Sequence, residues 1–390
     1  MASVLTGQYG TGHGVRLPHQ PLPGDRVTLA QVLQRGGYRT GAIVASFDLD
    51  HVFGLDRGFD AYDDRFDAPI MVTALERPVH IASIFFGDVD EERRLRRTKL
   101  PNDALRGDAE TSAAAIAWLR RTGGRPFFLW VHYFGAHERG LPHARLAAAM
   151  AQYEPSVLRV DDEVGRLLQA LTDLALTNNT LVVLHADNGQ GLLDRSGFGH
   201  GTDLYEPSVR VPLLMRWPGQ LQAGQRVEAL ARLVDIFPTV VDLVGLAVPG
   251  GLDGRSLVPL LRGTATRVAD DAYLETFLSA TAAVSQGIGP TDAVSDEAPE
   301  GEHRVGFVRR GIRTERWKYI RNEPSPVLDL RAAAALPADL QSLASEELYD
   351  LTADPMEHQN LATQDPGIVA QLRARLARYA HEAGGAAPLK

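Results

Sequence analysis

The sequence predicts an α/β protein: a mainly parallel sheet flanked by helices, with a smaller C-terminal α+β subdomain. Three observations lead there. Stretches with helical apolar spacing alternate with short strand-like runs along the first two thirds of the chain. Those runs are continuously apolar, as in strands buried on both faces of a sheet. Beyond about Gly263 the pattern changes to short segments typical of antiparallel strands. We place the boundary between Gly263 and Val268, which divides the chain into residues 1–265 and 266–390.

Each element has a local reason. Thr28 is an N-cap residue before the apolar positions Leu29, Val32 and Leu33, and Gly36-Gly37 stops that helix. Thr40–Ser46 (TGAIVAS) reads as a short buried strand. Asp108–Arg121 is a helix ended by Gly123-Gly124, and Pro126–Phe134 (PFFLWVHYF) is a strongly apolar strand. Val157, Val160, Val164, Leu167, Leu168 and Leu171 mark one face of a third helix. Asn179–Ala186 and Val211–Trp217 are further strands, and Leu233–Val244 is a helix. In the C-terminal part, Ala280–Glu302 reads as an exposed loop. Val305–Arg309, Gly311–Thr314 and Lys318–Arg321 read as short antiparallel strands, with an amphipathic helix over Pro366–His381.

Composition narrows the function classes. The chain has 390 residues, 44% of them hydrophobic and 23% charged, as an ordinary globular protein has. Its net charge of -9 is spread along the sequence, which disfavours a nucleic-acid partner. With no cysteine, these residues form no disulfide, thiolate metal site or cysteine nucleophile. Leu230–Val248 is the most apolar long stretch, but Arg232, Asp235, Pro238 and Asp242 mark it as a buried helix rather than a membrane span.

Three segments carry candidate chemistry. His132 and His137 lie where an apolar strand ends, the place where parallel sheets gather ligands; satisfied loop histidines are the plainer reading. Asp187-Asn188-Gly189 follows another strand and offers two hard oxygens suited to calcium or magnesium, although an Asx-turn uses the same residues. His200 sits between Gly199 and Gly201, ahead of Glu206 and Arg210; Arg210 suits an anion or an ion pair with Glu206 at helical spacing. His13, between Gly12 and Gly14, has the same two readings. Arg77, Arg93, Arg94, Arg96 and Arg97 in Asp67–Pro101 read as a solvated face more readily than as substrate contacts.

The order of these segments resembles the sulfatase family of the alkaline-phosphatase-like superfamily. Ala2–Gly7 (ASVLTG) with Gly12–Arg16 (GHGVR) is similar to the stretch that follows the family's nucleophile motif. Thr28–Tyr38, Phe53–Asp60, Phe127–His137, Leu181–Gly189, His200–Pro212, Leu233–Gly245 and Leu348–Leu361 continue in family order. The resemblance implies hydrolysis of a sulfate ester, on a small molecule or a glycan. It implies Ca2+ on Asp187 and Asn188, catalytic roles for His132, His137 and His200, and substrate contacts for His13 and Arg210. In the family a Cys or Ser of a Cys/Ser-x-Pro-Ser-Arg motif becomes the formylglycine nucleophile, and the first strand supplies further Asp ligands. Met1 stands at that motif's Arg, so the chain is expected to begin just after the nucleophile and to lack the first strand. A start further upstream is the favoured explanation, a non-catalytic anion- or glycan-binding remnant the other, and the chain as written is expected to be inactive. Any export signal would sit in that upstream segment, so the compartment is left open. A phosphodiesterase or phosphoethanolamine transferase is the nearest alternative within the superfamily. Gly135-Ala136 replaces the Asp-Pro of many members, and Gln190 replaces a frequent Glu. Lys318 falls where the family reads Lys-Tyr; the alternation of Trp317-Lys318-Tyr319 predicts an exposed, structural strand position.

Overall fold

The computed structural model describes residues 1–16, 20–66, 105–137, 146–192, 198–201, 203–279, 306–324 and 345–382. The expected loop at Ala280–Glu302 and the arginines of Asp67–Pro101 lie outside the described residues.

Two short helices, α1 (Ala2–Thr6) and α2 (Gly10–His13), open the chain. Helix α3 (Leu29–Arg35) begins with a full capping box: Thr28 Oγ1 accepts from Gln31 N–H while Gln31 Oε1 accepts from Thr28 N–H. It leads into β1 (Arg39–Ile43), which pairs in parallel with β2 (Ala61–Asp63) and with β3 (Phe127–Val131). Helix α4 (Asp108–Leu119) precedes β3 and packs Trp118 over the sheet, where Gly41 leaves room for the indole.

The long helix α5 (Leu146–Asp173) carries Pro155 within it. Its C-terminal half packs Leu167, Leu168 and Leu171 against Trp118 and Leu119. Val157, the first residue of the predicted apolar face, is 40% exposed, so the buried stripe starts later than the spacing suggests. Strand β4 (Val182–His185) then pairs with a later strand in the antiparallel sense, a departure from the parallel arrangement expected for these two segments. Between them lie β5 (Gly191–Leu192), β6 (Phe198–Gly199) and the single-turn helix α6 (Glu206–Val209); the antiparallel partner is β7 (Leu213–Arg216). A 3-10 turn at Leu233–Asp235 feeds α7 (Ile236–Leu243), which buries Phe237 and Val241 against Leu29 and Leu33 of α3. One turn of helix, α8 (Val258–Leu261), follows.

The C-terminal part is a four-stranded antiparallel sheet in the order β11-β10-β9-β8. Its strands are β8 (Ala272–Ser279), β9 (Gly306–Arg313), β10 (Trp317–Pro324) and β11 (Glu346–Asp350), covered by α9 (Pro366–Glu382). The two short strands expected on either side of Arg310 are one continuous strand, because Arg310 pairs with Glu275 of β8 and Arg321 of β10 without a break. Strand β8 was not anticipated. Tyr9 and Val234 from the first part share one core cluster with Tyr273, Ile312, Tyr319, Leu348 and Leu372 from the second. The two parts are therefore joined by packed apolar side chains as well as by the chain itself. Among the described residues no helix is long and apolar enough to cross a membrane.

Candidate active site

The sheet sets the site. His132 N–H donates to Ile43 O at 2.9 Å, so the β1–β3 pairing runs on to the strand end and fixes the backbone of His132 there. The next loop is held by Asp108 in the first turn of α4. Its Oδ1 accepts from Phe134 N–H at 3.3 Å and from Gly135 N–H at 3.0 Å. A Cβ at residue 135 would meet Asp108 Oδ2 at 1.7 Å, so a larger residue there would displace the carboxylate. Burial raises the Asp108 carboxyl pKa, against the pull of the two amides. The turn closes with His137 N–H on Phe134 O, and the His137 ring stacks on Phe134 at 4.5 Å.

His200 comes from the loop after β6, and its ring meets His137 edge-on at 5.1 Å between centroids. Asp187 arrives from the end of β4. Burial raises its carboxyl pKa, but nearby positive charge, including His132 and His200 when protonated, keeps Asp187 below the ordinary value. His132 is pushed down to about 4, by burial first, with Asp187 and Asp48 opposing. His200 is lowered by burial against the same two carboxylates and Asp203. Both rings are thus neutral near pH 7. His132 Nδ1 is buried and has no hydrogen-bond partner among the described residues.

Asp187-Asn188-Gly189 does form a local turn, with Asp187 Oδ1 accepting from Asn188 N–H at 3.1 Å. The Asn188 amide nitrogen donates to Gly189 O at 2.9 Å, which leaves its side-chain oxygen without a donor among the described residues. Gly189 N–H in turn donates to Ser208 O of α6, and a Cβ on Gly189 would meet Pro207 O at 2.0 Å. Only glycine permits that approach, and it locks the turn to α6. Asp187 and Asn188 thus offer two oxygens that fit a hard cation, two of the roughly six to eight that calcium takes.

The remaining sequence-derived candidates lie differently. His13 is 2% exposed and satisfied on both sides of its ring. Nδ1 accepts from Val15 N–H at 3.0 Å, so Nε2 carries the proton and donates to Ser3 Oγ at 2.9 Å. Burial, with nearby positive charge, pushes its pKa down to about 3. The arrangement matches a core histidine rather than a substrate contact. Arg210 is exposed, and its expected partner Glu206 is taken by Lys318 at 2.8 Å and Arg313 at 3.5 Å. Lys318 itself is fully buried, between Glu206 and Glu357 at 2.8 Å each, which corrects the exposed strand position expected for it.

Two residues near the site were not picked out from sequence. Asp108 opens a helix far from any motif; the nearest signal was Gly135 across from it. Asp48 sits in a 3-10 turn after β1, within electrostatic reach of His132 and His200. Asp50, His51 and Asp64 also bring three potential ligand atoms within 4.8 Å of one another. Their geometry has an ion-free explanation: Asp50 Oδ1 accepts from Val52 N–H, and Asp64 Oδ2 accepts from His51 N–H and lies 2.6 Å from His51 Nδ1.

Comparison with known proteins gives the family. Mouse (Mus musculus) steryl-sulfatase is 37% identical over 169 residues, covering 39% of this chain and 27% of that protein. Mouse arylsulfatase K is 31% identical over 226 residues, covering 58% of this chain and 34% of its own length. The chain thus spans only about a third or less of the curated relatives it matches. A solved structure described as a complex with its substrate D-glucosamine-2-N,6-O-disulfate superposes with a TM-score of 0.66. It covers 99% of this chain and 88% of that one at 18% identity, a likeness of fold alone. The sulfatase family model matches residues 1–246, more than half of the chain, and this protein accordingly belongs to the sulfatase family.

Proposed function

We propose that this protein hydrolyses sulfate esters carried on a small molecule or a glycan. The observation that carries the reading is the convergence of His132, His137, His200 and Asp187, with a buried His132 nitrogen that has no partner among the described residues. Asp187 and Asn188 would hold the cation, for which Ca2+ is the family expectation. Bound there, a divalent cation would supply charge neutralisation at the sulfate oxygens. His132, neutral at pH 7, can give a hydrogen bond to an anionic oxygen without the cost of a buried charge. His137 and His200 meet edge-on at 5.1 Å, and in this reading they would pass or receive a proton at the bridging ester oxygen. Gly135 and Asp108 keep the His137 loop in place, which orients the leaving group relative to the imidazoles. No Cys/Ser-x-Pro-Ser-Arg sequence occurs in these 390 residues, so the nucleophile is not assigned to any of them. A glycan sulfate is supported by the substrate named for the structural neighbour, and a small-molecule ester by the steryl-sulfatase relatives.

The test has a binding arm and a turnover arm. Calorimetric titration of the 390-residue chain with Ca2+ should show a saturable site that Asp187→Ala weakens by at least about tenfold. Protein purified from its native host should hydrolyse an aryl sulfate in preference to an aryl phosphodiester. A preference for the phosphodiester, or Ca2+ binding indifferent to Asp187→Ala, would sink the reading.

A further inference from the structure

A cleft of about 990 Å³ opens where the two parts of the chain meet. One wall is the turn Leu252–Arg255, another the segment Arg267–Asp271, and the third the outer face of α9, through Arg375, Arg378 and Tyr379. None of these residues belongs to the site at the strand ends. The charges on the walls do not cancel. Arg232, at the floor, is bound to Asp235 at 2.7 Å, Arg267 lies 3.5 Å from Asp270, and Arg375 lies 3.5 Å from Asp271. Arg255 and Arg378 are exposed on the cleft, and neither guanidinium has a carboxylate partner among the described residues. The lining holds five arginines against three aspartates, Asp253, Asp270 and Asp271, and this positive excess, in a chain of net charge -9, makes a local anion-attracting field. The planar fork of arginine is suited to the paired oxygens of a sulfate, phosphate or carboxylate.

We propose that this cleft binds an anionic saccharide. The walls combine cationic donors with the exposed carboxylate of Asp270, a mixture suited to an anion that also carries hydroxyl groups. A nucleotide fits poorly, because the single aromatic side chain in the lining is already engaged by other rings. Tyr379 is stacked on Tyr273 at 5.1 Å, meets Tyr9 edge-on, and spends its hydroxyl on Asp271. An extended apolar ligand fits poorly too, since Leu252, Val268 and Ala269 are the only aliphatic residues in the lining. The volume lies at the upper end of small-ligand sites, enough for more than one sugar ring. The cleft is held open by fixed parts. Asp253 and Gly254 N–H both donate to Gly7 O, and the buried Arg232 reaches Asp253 O and Asp271 O.

The experiment is a calorimetric titration of the full chain with sucrose octasulfate, a glucuronate-containing oligosaccharide, sucrose and inorganic sulfate. Saturable binding of at least one anionic sugar, much tighter than sucrose or inorganic sulfate, is expected, and it should weaken as salt rises. Which anionic sugar binds tighter assigns the group that the guanidiniums hold, sulfate or carboxylate. The double variant Arg255→Ala/Arg378→Ala removes only exposed side chains, and it should lower that affinity by at least about tenfold. Asp187→Ala should leave it unchanged, which separates this cleft from the strand-end site and from any failure of sulfate-ester turnover. Unaltered affinity in the double variant, loss of binding in Asp187→Ala, or equal affinity for inorganic sulfate would overturn the proposal.

Discussion

Two regions of this molecule bury ionisable groups, and they differ in how those groups are paired. At the seam between the parallel sheet and the antiparallel sheet, several of them meet an opposite charge or a donor. Lys318 sits between Glu206 and Glu357, and Glu206 N–H donates to Glu357 Oε2 across 151 residues of chain. Glu347 accepts from Tyr205, Tyr349 and Asn322. Arg232 makes a two-pronged pair with Asp235. At the strand ends the His132 imidazole is left open, its Nδ1 without a partner among the described residues. Buried polar groups normally find partners because leaving one bare costs about 1–3 kcal/mol. His132 Nδ1 is such a group at the strand ends.

The contrast can be broken hardest at Lys318. Lys318→Met leaves the buried Glu357 carboxylate beside Glu206 without its cation, with only Arg313 still near Glu206, and we expect a loss of about 3–5 kcal/mol in urea denaturation. Lys318→Met combined with Glu357→Gln should recover part of that loss; no recovery would mean the lysine matters for packing rather than charge.

The link between the regions is Gly189. Its amide is bonded to α6, whose first residue Glu206 is held by Lys318, so the seam braces the turn that carries Asp187 and Asn188. Gly189→Ala forces a Cβ towards Pro207 O, and a destabilisation of up to about 3 kcal/mol with weaker Ca2+ binding is expected. A variant of wild-type stability and Ca2+ affinity would show the brace to be dispensable.

His13 sharpens the comparison from the satisfied side. Its folded pKa is about 3, below the unfolded value, so the unfolded chain takes up a proton that the folded one refuses. Its contribution is fully present above about pH 6.5 and is lost as pH falls towards the folded pKa. Between pH 6.5 and 5 that amounts to about 2 kcal/mol from this group alone. Urea midpoints at pH 7.5 and 5 should differ less in His13→Gln than in the parent; equal differences would remove His13 as a source of acid lability.

What the sequence determined by itself was local. The capping box at Thr28, the glycine stop at Gly36-Gly37, the apolar strand ending at His132 and the Asp187-Asn188-Gly189 turn all rest on contacts between near neighbours in the chain, which spacing and residue type report directly. The ordered run of such segments also carried the family. What only the tertiary structure decided was which of these residues are spent. His13 and His132 look alike in sequence, yet one has both nitrogens satisfied and the other has one bare, because Ser3 and Val15 meet the first and no described group meets the second. Lys318 alternates like an exposed strand residue but is buried, since its partners Glu206 and Glu357 come from elements far away in the chain. The antiparallel pairing of β4 with β7 and the gathering of arginines around the cleft lined by Leu252–Arg255, Arg267–Asp271 and α9 have the same origin. Period and capping act over one or two turns, whereas charge compensation and burial depend on which distant segments the core brings together.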